Sequence, residues 1–223
     1  MKELIERIVK EVEGCKKCRD FEDLIKVDDK PYLGFNVYEE WVPEKLECLF
    51  IAESPPGDPE RFFYNPESKS QLREGLFDLL DIEGRGREGL LEFKERGLLL
   101  VDALECRVEK RDEKRRRSSI PKAAIKNCSC ILRLKLELAR LSTVKLVVMG
   151  RTALEALKIL GFDELEGRRV IENHGKVVAS QGFEVLSCVL PFPWNLAKLA
   201  RRRQKGIEEL RDELRKELLK FCT

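Results

Sequence analysis

The chain has 223 residues, of which 43% are apolar and 38% are charged. Its length fits one α/β domain with additional helices or two small domains, and it excludes a small scaffold that is held together by disulfides. The 43 Lys and Arg residues nearly balance the 41 Asp and Glu residues, so net charge alone does not predict a nucleic-acid partner. The longest uncharged runs have the length of strands, which excludes a transmembrane helix and gives no reason to expect a membrane partner.

The N-terminal sequence MKELIERIVKEVEG carries charges where a signal peptide needs an apolar centre, so we expect a cytoplasmic protein. In that compartment the eight cysteines are expected to be thiols or metal ligands, although some hyperthermophiles make cytosolic disulfides. The charged composition, with one histidine and two methionines, is typical of thermophile proteins.

Helical and strand patterns alternate along the chain. An apolar stripe from Leu4 to Val12 predicts a helix that ends at Gly14, just before Cys15 and Cys18. Short apolar runs predict buried strands at 48–52, 98–101, 146–149 and 185–190. Helical patterns lie at 71–80, 121–141, 152–160 and 196–221. The order of strands and helices predicts an α/β fold with a parallel, doubly wound sheet.

Polar residues and turn formers follow the ends of the predicted strands. In open parallel sheets, ligands bind at the carboxyl ends of the strands, so a binding site is expected there. The residues at these ends are Glu53-Ser54-Pro55-Pro56-Gly57, Asp102, Gly150-Arg151-Thr152 and Pro191-Phe192-Pro193-Trp194-Asn195. These residues supply carboxylates, hydroxyls and an amide. The prolines and turns among them are expected to form a stiff backbone at the bottom of the pocket.

The runs LFIAESPPG, VVMGRTALEAL and LPFPWN resemble, in order, motifs of the uracil-DNA glycosylase superfamily. The chain is most similar to the branch with an iron-sulfur cluster, and the resemblance spans about 15–195. It implies a three-layer α/β/α fold with a central, mostly parallel sheet of four strands. It also implies a single domain over 1–223, in which 1–47 holds the first helix and the first two cluster cysteines, and 196–223 forms a C-terminal helix.

The same resemblance implies a 4Fe-4S cluster held by Cys15, Cys18, Cys106 and Cys130. Counting back from Gly150 favours Cys130 over Cys128 as the fourth ligand. Four thiolates also suit tetrahedral zinc, which is the alternative metal. Two other cysteines, Cys48 and Cys188, fall within predicted strands and are expected to be small core residues.

A member of this family would be a DNA repair enzyme of base excision repair, which flips a base out of DNA and hydrolyses its N-glycosidic bond. This reaction needs negative charge beside the sugar, a positioned water and help for the departing base. The resemblance assigns these catalytic roles to Glu53, Ser54 and Asn195. It assigns stacking of the flipped base to Phe63 or Tyr64, and no lysine in the motif turns is available for a Schiff base, so a monofunctional reaction is expected.

Two positions depart from the family pattern. Leu190 stands where the second motif begins with a histidine, and leucine cannot donate a hydrogen bond to the leaving base. Asp102 stands where an asparagine usually reads the base, and an ionised aspartate favours a base that presents an amino donor. A relative that binds nucleic acid without cleaving it is therefore the alternative function, and an enzyme for free nucleosides or nucleotides is a weaker third.

Two basic clusters are candidates for DNA contact. Trp194 matches the family residue that wedges into the duplex. The basic residues that follow it are expected to neutralise phosphates; they are Lys198, Arg201, Arg202, Arg203 and Lys205. The other cluster, Arg115 to Arg117, lies in the charged run EKRDEKRRR, which also fits a solvated loop. The expected partner is DNA with a damaged base, in duplex or single-stranded form, and the expected protein is a monomer.

Overall fold

The computed structural model describes residues 1–26, 37–109, 120–142, 145–165, 174–188 and 193–222. Within these ranges the helices are α1 (Lys2–Gly14), α2 (Val37–Glu40), α3 (Gln71–Leu79), α4 (Gly86–Glu95), α5 (Lys122–Arg140), α6 (Arg151–Ile159), α7 (Pro193–Arg203) and α8 (Ile207–Cys222). The strands are β1 (Ile25–Lys26), β2 (Cys48–Ala52), β3 (Leu98–Asp102), β4 (Arg107–Val108), β5 (Lys145–Met149), β6 (Lys176–Ser180) and β7 (Phe183–Cys188). Every helix in these ranges is too short or too polar to span a membrane.

The main sheet has the strand order β3-β2-β5-β7-β6, and its first four strands are parallel. The predicted α/β fold with a mostly parallel sheet is therefore confirmed. The expected number of four strands was wrong, because β6 adds a fifth strand antiparallel to β7. β6 has only the short apolar run Val177-Val178-Ala179, and most of its side chains are exposed or half-exposed. The positive φ angles of Gln181 and Gly182, 53° and 78°, form the two-residue turn that joins the pair.

The chain reverses its direction across the sheet at β2. From β2 it passes through α3 and α4 to β3 on one side, and then through α5 to β5 on the other side. All five residues of β2 are buried, and because successive side chains point to opposite faces, both faces of this strand are covered. The reversal creates a topological switch point between the carboxyl ends of β2 and β5.

The C-terminal segment forms two helices, whereas one helix was expected over 196–223. Gln204 has a φ of 54°, and the Lys205 N–H donates to the Ala200 carbonyl over 3.1 Å, which ends α7 in a left-handed cap. The second helix, α8, packs against α3 and α7. Its buried side chains follow a helical stripe of Leu210, Leu214, Leu218, Phe221 and Cys222. The apolar spacing correctly predicted burial but carried no signal for the break.

Tyr64 forms hydrogen bonds with the backbone of β3 on the side of this edge strand that has no neighbouring strand. Its hydroxyl donates to the Leu100 carbonyl over 2.7 Å and accepts from the Leu100 N–H over 2.8 Å. In this way one side chain substitutes for a neighbouring strand at that position. The Tyr64 ring is 2% exposed and contacts the Phe63 ring edge to face.

The free energy of unfolding of the Tyr64→Phe variant is expected to be about 2–4 kcal/mol lower, because the substitution leaves a buried N–H and a buried C=O of Leu100 without this partner. Urea denaturation followed by circular dichroism measures this loss. If the slope of the unfolding free energy against urea concentration is unchanged, the variant and the unchanged protein expose the same surface on unfolding, and their stabilities can be compared. A loss below about 0.5 kcal/mol would contradict the proposed role of the hydroxyl.

Candidate active site at the carboxyl edge of the sheet

Glu53 and Asp102 lie at the same edge of the sheet. Asp102 is the last residue of β3 and is paired in register with Ala52, the last residue of β2. Beyond the strands the two turns stay side by side, because the Ala103 N–H donates to the Ala52 carbonyl and the Leu104 N–H donates to the Glu53 carbonyl, each over 3.0 Å. Two of the predicted site residues are thus brought together by hydrogen bonds between their backbones.

Thr152 connects Glu53 to the turn after β5. Gly150 has a φ of 94°, a conformation that favours glycine, and it directly precedes α6. Thr152, in the first turn of α6, donates a hydrogen bond from Oγ1 to Glu53 Oε2. The Thr152 side chain is buried, so this bond is shielded from solvent. It joins the turns of β2 and β5 at the switch point, where α/β sheets bind their ligands.

Ser54 presents a buried hydroxyl beside Glu53. Among the residues that the structure describes, its Oγ has no hydrogen-bond partner. Buried hydroxyl groups are nearly always hydrogen-bonded in folded proteins. The role that the sequence predicted for Ser54, the positioning of a water, stays a prediction.

A buried lysine that the sequence reasoning missed lies next to Asp102. Lys135, on α5, is 1% exposed, and its ammonium donates to the Asp102 backbone carbonyl and pairs with the Glu105 carboxylate. The Tyr38 hydroxyl donates to the same Glu105 carboxylate over 2.9 Å. The Lys135 Nζ also lies 5.8 Å from the centre of the Tyr38 ring. These contacts tie α2 and α5 to the end of β3.

The buried ion pair fixes the backbone at the predicted base-reading position. A buried charge is tolerated only with a well-placed partner, so Lys135 and Glu105 hold each other in one arrangement. Burial and the negative charge of Glu105 raise the pKa of Tyr38 well above its usual value, which keeps its hydroxyl a donor. A signal for Lys135 existed in the sequence, since it falls seven residues after Cys128 on the buried stripe of α5.

Phe63 and Tyr64, the predicted stacking residues, lie in the core. The Phe63 ring packs edge to face against Tyr64, Phe77 and Phe93. Arg73 holds the surrounding loop, because its buried guanidinium donates to the backbone carbonyls of Phe63, Asn65 and Ser68. Burial and the nearby negative charge of Asp102 raise the pKa of the Tyr64 hydroxyl, so Tyr64 lies near the predicted base-reading residue. A stacking role for these residues stays a prediction and requires the loop to rearrange.

Three segments that carry cysteines are held close together. The pairing of β1 with β4 joins the segment after Cys18 to the segment after Cys106. Helix α1 packs on α5, and the Asn127 side chain donates to the Lys17 carbonyl over 2.6 Å. These contacts place Cys15 and Cys18 beside α5 and beside the turn that follows β3.

The Cys18 thiol donates to the Ala124 carbonyl of α5 over 3.9 Å, and its interaction with the thiol of Cys128, one turn further along α5, lowers the pKa of Cys18 and raises that of Cys128. Cys15 and Cys106 are near enough for their charges to act on the ionisation of Cys18. The thiols of Cys18, Cys106 and Cys128 are buried, and that of Cys15 is half-buried. Soft thiolate donors from separate segments are the ligand chemistry of zinc and iron-sulfur sites. Among the described residues, however, no three His, Cys, Asp or Glu side chains are arranged to hold a metal ion.

Cys130 has a different environment from Cys128. Its Sγ accepts a hydrogen bond from the Lys17 ammonium over 3.1 Å, and this contact raises the pKa of Lys17. The spacing from Gly150 had favoured Cys130 as the fourth ligand. The interaction between Cys18 and Cys128 favours Cys128 instead. Residues two apart on a helix point in different directions, so only one of Cys128 and Cys130 is expected to face the other cysteines.

The predicted DNA-binding residues divide into two groups. The side chains of Lys198, Arg201 and Arg202 are exposed on α7, and Asn195 is half-buried near the start of this helix. In contrast, Arg203 donates to the His174 carbonyl over 2.7 Å, and Lys205 pairs with Glu209 and Glu213 on α8. The side chain of Trp194 and the residues Leu190 and 115–117 lie outside what the structure describes.

His174 lies against α7 and α8 and beside the carboxyl end of β7, because the Gly175 N–H donates to the Ser187 carbonyl over 2.9 Å. Burial and the positive charge of Arg203 lower its pKa to about 4, while Glu213 acts in the opposite direction. Burial raises the pKa of the nearby Glu217, whose carboxylate contacts the backbone of Gly175 closely enough to exclude a Cβ there. His174 and Gly175 form a turn, and the His174 side chain is buried.

Comparison with models of known protein families finds no family that matches the chain, and comparison with curated proteins finds no significant relative. Function is therefore inferred from the geometry of the site together with the motifs in the sequence.

The buried His174 is expected to make stability depend on acidic pH. The unfolded histidine takes up a proton near pH 6.5, but the folded one does so only near pH 4, so stability is lost as pH falls through this window. The full loss amounts to about 3 kcal/mol. In urea titrations from pH 7 to pH 4, the His174→Gln variant should lose less stability than the unchanged protein.

Glu217→Gln is the matched control for this measurement. A carboxyl with a raised pKa in the folded state adds stability as pH falls, so its removal should make the loss in acid steeper. Parallel stability curves for the unchanged protein and His174→Gln would refute the assignment of His174 as a neutral buried group.

Proposed function

We propose that this protein is a monofunctional DNA glycosylase of the uracil-DNA glycosylase superfamily, nearest to its iron-sulfur branch. In this proposal it flips a damaged or deaminated base out of DNA and hydrolyses the N-glycosidic bond. The observation that carries the proposal is the hydrogen bond of Thr152 to Glu53 at the switch point, with Asp102 on the adjacent strand end. Glu53 and Thr152 come from two separate motif segments and Asp102 comes from a third strand end, and the fold gathers them at one edge.

The chemistry of the proposed reaction fits the groups at this edge. The Glu53 carboxylate supplies negative charge beside the sugar as oxocarbenium character develops. The Ser54 hydroxyl, which lacks a partner among the described residues, holds the attacking water next to it. Thr152 orients Glu53, and Asn195 is the proposed third polar contact to the substrate. Water attack then releases the base and leaves an abasic site.

Asp102 is the proposed reader of the base edge. Lys135 holds its backbone carbonyl, so the position of Asp102 depends on the buried pair of Lys135 with Glu105. An ionised carboxylate accepts hydrogen bonds only, and it therefore selects a base edge that presents an N–H donor. This differs from an amide, which accepts and donates at the same position.

The exposed cations of α7 are the proposed phosphate contacts. Lys198, Arg201 and Arg202 lie on the helix that follows the carboxyl end of β7. A basic helix at that place neutralises the DNA backbone and positions the strand over the site. Arg203 and Lys205 also bind groups within the protein, the His174 carbonyl and a carboxylate of α8, and both remain proposed phosphate contacts.

A structural metal centre completes the proposal. A 4Fe-4S cluster, with zinc as the alternative, would be held by Cys15, Cys18, Cys106 and Cys128. Cys128 takes the place of Cys130 in this set because it interacts with Cys18. The bound metal would link α1, the turn after β3 and α5 without taking part in the reaction. Right-handed crossovers place α3 and α4 on the opposite face of the sheet from α5, which supports the three-layer arrangement expected for the family. We place the protein in the cytoplasm, as a monomer on DNA.

The reaction is tested with oligonucleotides that carry uracil, hypoxanthine or xanthine, in duplex and single-stranded form, followed by cleavage of abasic sites with alkali. Turnover is expected on at least one substrate. Glu53→Gln should lower the single-turnover rate by about 100-fold or more, because the negative charge beside the sugar is lost. Thr152→Val should lower it by about 10-fold, because Glu53 loses its orientation.

His174→Gln is the control in this assay and should retain the rate at neutral pH. The absence of abasic sites from every substrate would refute the enzyme proposal. If DNA binding with a steep salt dependence persists in that case, the protein is a nucleic-acid-binding relative that does not cleave. Turnover of free nucleosides would instead favour a small-molecule enzyme.

The metal centre is tested by anaerobic purification. We expect a brown protein with about four irons per chain, whose visible absorption bleaches on oxidation. Cys128→Ser should lose the iron, whereas the matched variant Cys130→Ser should retain it, because only Cys128 contacts Cys18. The reverse result would return the fourth ligand to Cys130, and a colourless protein with one zinc would identify the alternative metal.

A further inference from the structure

Two cysteines that belong neither to the proposed active site nor to the proposed metal centre lie in direct contact. Cys48 is the first residue of β2, and Cys222 is the last residue of α8. Their sulfur atoms are 3.1 Å apart, and the Cys222 thiol donates a hydrogen bond to Cys48. A disulfide needs an S–S distance of about 2.0 Å, so a shift of about 1 Å would suffice for a bond.

Both sulfurs are positioned by elements that are well packed. Cys48 is 0% exposed at the start of a strand that lies between β3 and β5. Cys222 is 5% exposed and follows the buried stripe of α8 that includes Leu214 and Leu218. The approach of the two thiols therefore results from the packing of α8, and closing a bond between them requires little further ordering of the chain.

The environment keeps the pair reduced until an oxidant reaches it. Burial and the neighbouring Cys222 raise the pKa of Cys48 well above its usual value, so its thiol stays protonated. Cys222 lies in the last turn of its helix, where hydrogen bonds are fewest and opening costs the least. It is thus the sulfur that meets an external reagent first.

We propose that Cys48 and Cys222 form a reversible disulfide that ties α8 to β2. The Cys222 thiolate attacks a low-molecular-weight disulfide, forms a mixed disulfide and releases one small thiolate. Cys48 then loses its proton to solvent and attacks the Cys222 sulfur, which releases the second small thiolate. The two protein thiols are oxidised to one disulfide, and the small disulfide is reduced to two thiols.

The bond would connect residues 174 positions apart, so it would restrict most of the unfolded chain. Its position is separate from the Glu53–Thr152 contact, and the inference does not depend on the proposed glycosylase activity. Cys188 is the competing thiol, because its ionisation is also influenced by Cys222, and burial raises its pKa further. The hydrogen bond of Cys222 favours Cys48 over Cys188 as the partner.

The test treats the full-length protein with oxidised glutathione under anaerobic conditions. Peptide mapping without reductant should identify a link between the peptides of Cys48 and Cys222, and the intact mass should fall by two hydrogens. The melting temperature should rise by about 5 °C or more and should return after addition of dithiothreitol.

Variants distinguish this bond from other oxidation. Cys222→Ala should abolish both the linked peptide and the rise in melting temperature, and Cys188→Ala should leave both unchanged. A link from Cys222 to Cys188, a product that stays a mixed disulfide, or no linked peptide after prolonged oxidation would overturn the proposal. Peptide mapping of the unchanged protein decides the matter even if a variant fails to fold.

Discussion

The reversal of the chain beside β2 is the constraint on which the candidate site depends. Strands on both sides of β2 run parallel to it, so their carboxyl ends share one edge, and the turns after β2 and β5 open next to each other. The hydrogen bond of Thr152 to Glu53 crosses this opening. Without the reversal, these two residues, which are far apart in the chain, would have no reason to meet. The glycosylase proposal is an interpretation of what this edge holds.

Buried polar side chains fix the segments around this edge. Lys135 and Glu105 hold the end of β3 against α5, Tyr64 satisfies the outer backbone of β3, and Arg73 binds the carbonyls of the loop after β2. In each case a buried ammonium, hydroxyl or guanidinium group forms a hydrogen bond with backbone groups that have no partner on a neighbouring strand. Such groups are costly when left unpaired, so each one favours a single arrangement of its loop.

The cysteines form two separate groups with different chemistry. One group surrounds Cys18, where α1, α5 and the turn after β3 meet, and its thiols influence one another's ionisation. The other group consists of Cys48, Cys188 and Cys222 at the junction of the sheet with α8. Burial raises the pKa of Cys48 and Cys188 in the second group, which suits thiols that remain protonated. A metal is the proposal for the first group, and a disulfide is the proposal for the second.

Local patterns were sufficient to locate the parallel strands and most long helices. The run 48–52 and the stripe of α1 are apolar because these segments bury their side chains in the core. The spacing of apolar residues is a local property, so it can be read from a short stretch of sequence. The polar residues at the strand ends could be predicted for the same reason, since the carboxyl edge follows from the order of elements. The sequence analysis missed β6, because its apolar run of three residues is short, and it missed the break at Gln204, because the apolar spacing continues on both sides of it.

Contacts between distant residues were decided by packing alone. Spacing along the sequence favoured Cys130 over Cys128, whereas the approach of α1 to α5 favours Cys128 by its interaction with Cys18. The sequence predicted that Phe63 or Tyr64 stacks on the flipped base and gave no sign that the fold buries both rings. The partners of Lys135 and the meeting of Cys48 with Cys222 also depend on segments far apart in the chain. A side chain's partner is a property of three-dimensional distance, and spacing along the sequence does not contain it.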